Sequence, residues 1–217
     1  RAIIHVNRVE SMMLENNVGY IALYEFAGDC QSEVKSALDQ LRKEGAKALI
    51  MDLRDNPGGW VDGAMEIADL FLDKEMLAYS MDRYGNKDPM ETKDGKDDIP
   101  LVFLVNENSA SSSEILSGGL HDLGRATLVG TKTFGKGVIQ NVIPLDGFVP
   151  ENSTDGFQMT VAQYYLPSGA AVHKVGIEPD VVAEMPEEMK NAYFELGDMA
   201  DPQLKAAWDE AVKKMAE

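Results

Sequence analysis

Residues Asn106 to Ile115 read NENSASSSEI, which puts Ser109, Ser111, Ser112 and Ser113 within five positions at the edge of an apolar run. A serine in the first turn of a helix lies beside backbone N–H groups that have no intrahelical partner. Those donors can hold the oxyanion that forms when a hydroxyl attacks a carbonyl. One of these serines is therefore a candidate nucleophile. Helix capping is the competing account, because Ser and Asn favour N-cap positions. The Gly-x-Ser-x-Gly elbow of α/β hydrolases is absent.

A nucleophilic serine needs a base. His121 follows Ser111 by ten residues on the same predicted helix, roughly 15 Å along the axis at 1.5 Å per residue, and cannot reach it. His5 and His173 carry no recognisable motif. A neutral lysine can do the work if burial and nearby positive potential lower its ordinary pKa of about 10.4. TKTFGKGVIQ offers Lys136 between two glycines just after a predicted strand. An ordinary turn lysine is the rival reading there.

The third segment is LIMDLRDNPGGW. A buried strand ends in Arg-Asp-Asn-Pro-Gly-Gly and a helix follows at once. The glycines permit positive φ and expose N–H groups at a helix N-terminus, where negative charge is stabilised. No Gly-Lys-Ser/Thr ending and no G-x-G-x-x-G accompanies them, so a phosphate loop is not indicated. A plain strand-to-helix turn is the alternative.

The elements around these segments alternate. VGYIALYEF (18–26) has strand composition, and QSEVKSALDQLRKEG places Val34, Ala37, Leu38 and Leu41 at helical spacing before Gly45. AKALIMDL and PLVFLVN are continuous apolar runs, as strands covered on both faces would be. WVDGAMEIADLFLDK and SSSEILSGGLHDLG read as helices and ATLVG as a further strand. The repeated alternation predicts an α/β layer with parallel strands. Residues 81–98 are polar and turn-rich and read as an exposed excursion. Beyond Gly130 the pattern turns strand-like in FQMTVAQYYLPSG. The acidic tail 186–217 reads as helical, with Leu204, Ala207, Trp208 and Val212 on one face.

Composition removes several function classes. The 37 acidic residues against 20 basic give a formal net charge of −17, which repels nucleic acid and anionic membranes. Cys30 is the sole cysteine, so neither an internal disulfide nor a thiolate metal cluster can form. It reads as a half-buried side chain at a helix start. No apolar run reaches the 18 residues of a membrane span. The chain opens at Arg1 with no leader pattern and reads as an excised or processed fragment.

Taken together, VGYIALYEF, DLRDNPGG, SASSSEI, TFGKGVIQ, YYLPSG and GIEPD, in that order, resemble the motifs of the C-terminal processing peptidases, also called tail-specific proteases. That family runs Gly-Tyr-Ile strand, L-R-x-N-P-G-G, S-A-S-A-S-E-I, T-F-G-K-G-x-x-Q and a segment ending G-I-x-P-D. The likeness covers nearly the whole chain. It implies the α/β core shared with Clp peptidases and crotonases, with a β-rich segment beside the active site. It also implies a Ser-Lys dyad that cleaves proteins or peptides near their C-termini through an acyl-enzyme.

Carried over by motif, the resemblance makes Ser111 the nucleophile, Lys136 the general base and Gln140 the side chain that orients the lysine. The oxyanion donors would be the N–H of Ser112 and of Gly58 or Gly59. Glu114 and Asp122 fall on supporting acidic positions, Asp122 on one often found near the active site. Ser112 stands where alanine is usual, which adds a competing hydroxyl but keeps the N–H. No metal or cofactor is implied. In the family a PDZ domain precedes the core. Residues 1–10, with RAIIHV, resemble its last strand, 11–217 the peptidase core, and DPQLKAAWDEAVKKM the closing helix. Partners implied are unfolded or C-terminally exposed substrates, the PDZ domain of the full-length chain and a second copy in a homo-oligomer, in an extracytoplasmic compartment. Two other classes stand beside this reading: a catalytically silent peptide-binding module on the same fold, and acyl chemistry on coenzyme A thioesters. The intact Ser111, Lys136 and Gln140 set argues against the first and the acidic balance against the second.

Overall fold

A strand in which every residue is buried must be covered on both faces. Strand β3 (Ala48–Asp52) is such a strand in the computed structural model, which describes residues 7–95, 97–145, 156–190 and 192–216. It lies inside a six-stranded sheet with β1 (Val9–Leu14), β2 (Val18–Leu23), β6 (Leu101–Val105), β7 (Ala126–Gly130) and β10 (Val181–Val182), in the order β1-β2-β3-β6-β7-β10. All neighbours are parallel except the β1–β2 pair. Strands β2, β6 and β7 are also buried throughout.

Alternation along these strands feeds two cores. Leu49, Met51 and Phe103 point to the side covered by helices α1 (Cys30–Lys43), α2 (Val61–Ala68) and α3 (Ser112–Asp122). Ile50, Val102 and Leu104 point to the other side, where helix α4 (Pro202–Lys214) buries Leu204, Ala207 and Ala211. Trp208 and Val212, placed on the same face by periodicity, pack there half-buried. The result is a three-layer α/β sandwich, as the alternating pattern predicts.

A second, antiparallel sheet has the order β5-β4-β9-β8 and comprises β4 (Met76–Asp82), β5 (Lys87–Glu91), β8 (Val138–Pro144) and β9 (Gly156–Tyr165). The polar excursion at 81–98 is thus partly strand. β5 is exposed and pairs with β4, which its composition did not announce. Helix α2 stops at Ala68 rather than running on to Lys74, because Leu70 and Phe71 close tight turns onto Ile67 and Ala68. Val9 to Leu14 form the edge strand β1, and the expectation for RAIIHV falls outside the described residues.

Topology sets the position of the site. β3 and β6 are adjacent and parallel, with Asp52 opposite Leu104. The turns that leave their C-terminal ends therefore emerge side by side, the location where open α/β sheets bind ligands. One turn is Leu53–Trp60 and leads into α2. The other is Asn106–Ser111 and leads into α3.

Candidate active site

The first turn is organised by Asn56, which is fully buried. Its Oδ1 accepts the Gly58 N–H at 2.9 Å, an Asx turn, and its amide nitrogen donates to the Leu23 carbonyl at 2.8 Å. Its own carbonyl accepts the Ala110 N–H at 3.0 Å and the Ser113 hydroxyl at 2.9 Å. This ties the two turns together. Glycine is required twice. At Gly58 (φ 97°) a Cβ would sit 2.8 Å from the Ser111 Cβ, and at Gly59 (φ 142°) it would sit 2.2 Å from the Phe26 carbonyl oxygen. Gly58 thus lies directly against Ser111. Its N–H is taken by Asn56, whereas the N–H groups of Gly59 and Ser112 have no acceptor among the described residues.

Burial separates the serines. Ser109, Ser112, Ser113 and Ser117 are fully buried, and each donates its hydroxyl to a backbone carbonyl: those of Leu53, Gly59, Asn56 and Ser113 respectively. Ser111 is half-exposed, and its hydroxyl has no acceptor among the described residues. It begins α3 at φ 57° and ψ −115°, a sparsely populated conformation that costs of order 1–3 kcal/mol. The first helical turn bonds to the Ser111 carbonyl, from Glu114 N–H at 2.8 Å and Ile115 N–H at 2.9 Å. The Ser111 side-chain oxygen also faces the Glu114 N–H in a capping box, an accepting role that does not use the hydroxyl proton. The additional hydroxyl at Ser112 bonds to the Gly59 carbonyl at 3.0 Å and so is not free to compete.

Glu114 brings the third segment in. Its side chain is fully buried, and four donors converge on it. Oε1 accepts the Thr133 hydroxyl at 2.6 Å and the Gly135 N–H at 2.7 Å. Oε2 accepts the Ser111 N–H at 2.9 Å and the Lys136 N–H at 2.8 Å. One carboxylate oxygen therefore fixes the backbones of Ser111 and Lys136 together. The Phe134 N–H adds a bond to the Ser109 carbonyl at 3.1 Å, and the Tyr164 hydroxyl donates to the Ser111 carbonyl at 3.2 Å. Burial pushes the Tyr164 phenol well up, helped by the nearby Glu114, so it stays a donor.

Other expected residues fall elsewhere. Gln140 lies exposed on β8, where its side-chain oxygen accepts from Gln158 at 3.2 Å. Asp122 is not brought to the site. It closes the opposite end of α3 and accepts the Ser168 N–H at 2.6 Å. His121, on the same last turn, pairs with Asp180 at 2.9 Å. The Cys30 thiol is buried and pushed up by desolvation, which disfavours the thiolate. Among the described residues no group of three or more His, Cys, Asp or Glu is placed to hold a metal ion, and no helix is long and apolar enough to cross a membrane.

Several structural contributors had weak sequence signals. Asn56 was one of them, although an Asn before Pro-Gly-Gly is a turn-former. Arg54 was another. Its guanidinium pairs with Asp52 and with Asp201, the N-cap of α4, each at 2.7 Å. Burial works against that charge, but the two carboxylates outweigh it and keep Arg54 cationic. Tyr20 completes the cluster by donating to Asp52 at 2.7 Å. This network anchors the start of the Gly58–Gly59 turn to α4.

The model of peptidase family S41 matches residues 17–183. A carboxyl-terminal-processing protease of Synechocystis sp. is 43% identical over 195 residues, covering 89% of this chain and 43% of that protein. A protein of the same name from Picosynechococcus sp. is 42% identical over 213 residues, covering 96% of this chain and 49% of that one. The solved structure of a photosystem II D1 C-terminal processing protease is similar with a TM-score of 0.75 at 30% identity, over 93% of this chain and 55% of that chain. The chain spans about half the length of the relatives it matches.

Proposed function

The chain belongs to peptidase family S41, and from that premise we propose that it is a serine endopeptidase centre with Ser111 as nucleophile and Lys136 as general base. The observation that carries this reading is the sorting of the serines. Ser109, Ser112, Ser113 and Ser117 each have their hydroxyl engaged with a carbonyl, and Ser111, alone among these, is half-exposed without an acceptor among the described residues. The choice of Lys136 is supported by the Glu114 oxygen that accepts both its backbone N–H and that of Ser111.

The chemistry proceeds in two halves. Neutral Lys136 removes the Ser111 proton as the hydroxyl attacks the scissile carbonyl. The oxyanion rests on the N–H groups of Ser112 and Gly59, with Gly58 left to shape the turn because its N–H is engaged by Asn56. Lys136 then passes the proton to the leaving amine, and water resolves the acyl-enzyme. Glu114 acts by positioning both backbones. Gln140 orients the lysine only if it leaves Gln158. Substrates are proteins or peptides, bound as an added strand and cut near their C-termini. The full-length protein supplies a PDZ domain that presents them, in an extracytoplasmic compartment.

Cleavage of an unfolded protein, followed by mass spectrometry from pH 6 to about 10, tests the dyad. Product should rise with pH as a lysine base requires and vanish in Ser111→Ala and Lys136→Met. Product persisting in Ser111→Ala would reject the assignment. Absence of product from the native chain, with peptide binding intact, would favour the silent binding module.

A further inference from the structure

Two loops converge on Ser111, one through Gly58 and the other through the Glu114 oxygen shared with Lys136, and each holds a large apolar side chain out in water. Trp60 is 64% exposed on one wall and Phe134 is 64% exposed on the other. Neither backbone is free to withdraw its ring. Trp60 ends the glycine turn with its N–H on the Phe26 carbonyl at 2.7 Å, directly after Gly59, whose carbonyl holds Ser112. Phe134 sits between Thr133 and Gly135, both bound to Glu114, and its own N–H is fixed on Ser109. Val175, 53% exposed, extends the second wall, since its backbone nitrogen lies 3.2 Å from where a Gly135 Cβ would be.

Large aromatic surfaces left in water on pinned backbone are what a preorganised apolar subsite requires. The other exposed apolar residues of the second sheet, Val142, Phe157 and Met159, lie out along β8 and β9 rather than on the segments that bound Ser111. We infer that Trp60 and Phe134 form the apolar subsites that receive the substrate side chains on the two sides of the bond cut at Ser111. The chain therefore selects extended segments in which apolar residues flank that bond. The inference rests on the reading of Ser111 as nucleophile.

The test uses synthetic peptides that differ only at the two positions flanking the cleaved bond, carrying Leu, Ser or Asp. Binding is read on Ser111→Ala by anisotropy of a labelled peptide, and cleavage is read separately on the native chain. Leu should exceed Asp at each position by about 10-fold or more, in Kd and in kcat/KM. Trp60→Ala should bring one position to within about 3-fold and Phe134→Ala the other, because each variant loses one apolar wall. Both side chains are exposed, so both variants should melt as the native chain does. Equal binding across the set, unchanged discrimination in the two variants, or no saturable binding overturns the inference. Cleavage that survives in Ser111→Ala while the binding preferences persist rejects the nucleophile and leaves the subsites standing.

Discussion

Replacing Glu114 by Gln changes one atom of a fully buried side chain on which four donors converge. An amide has a single acceptor oxygen, so two donors must face its NH2 group. If the oxygen faces Ser111 and Lys136, the NH2 faces the Thr133 hydroxyl and the Gly135 N–H. Thr133 can adapt by accepting, although it already accepts the Ile177 N–H at 2.8 Å. Gly135 cannot, and its orphaned N–H costs about 1–3 kcal/mol. The opposite flip orphans two N–H groups and is worse. The remaining bonds lose their charge assistance, roughly 1 kcal/mol in each case. The expected loss is about 4 kcal/mol, a large part of a typical domain's stability. Urea unfolding followed by far-UV circular dichroism measures it, with an unchanged slope as the check on two-state behaviour. Activity should fall together with stability, because the lysine loop is released. A Glu114→Gln protein within about 1 kcal/mol of native would refute the claim that this carboxylate fastens the two segments.

Three further expectations concern the scaffold. Asp201→Asn should cost about 1–3 kcal/mol, since Arg54 keeps Asp52 but loses a charged partner, and Asp201→Ala about 1 kcal/mol more, since α4 also loses its N-cap; thermal unfolding of the pair separates the two. Gly59→Ala should cost more than 2 kcal/mol, from positive φ and the clash with Phe26, whereas Gly85→Ala, where a Cβ meets nothing within 4 Å, should cost about 1 kcal/mol by differential scanning. Burial pushes the Asp180 carboxyl up, but the Leu128 N–H and His121 more than offset this and hold it below the usual range. Its contribution is therefore present above the unfolded value near about 3.9 and lost as pH falls through the lower folded value. Denaturant titrations of Asp180→Asn should show a shallower decline across that acid window, and an unchanged slope would reject the account.

The layer architecture was legible because both-face burial forces unbroken apolar strands, as in ALIMD and LVFLV, and because α1 and α4 carry clean helical spacing. The exposed strands were not. VIQNVIP lacks a buried face to impose alternation, and KDPME contains little that favours a strand over a turn. Within the serine cluster, sequence alone left capping and nucleophile open for every member. What separates Ser111 from Ser112 and Ser113 is which carbonyl lies opposite, and those carbonyls belong to residues 56 and 59, more than fifty positions away. The Glu114 contacts were hidden for the same reason. Asp122 illustrates the converse: a motif position near Ser111 in sequence lies a whole helix away from it in space.

The serine and the lysine are delivered by different sheets: Ser111 follows β6 of the parallel sheet, and Lys136 precedes β8 of the antiparallel one. Their backbones are joined only where the two sheets are packed together, through the single Glu114 oxygen that accepts both N–H groups. A chain still being synthesised, or one whose second sheet has come loose, presents the Ser111 hydroxyl without the proposed base. Such a molecule exposes its own unfolded segments at the very moment when it cannot cut them. Assembly of the two sheets thus works as a timing device that keeps the proposed peptidase from being its own first substrate.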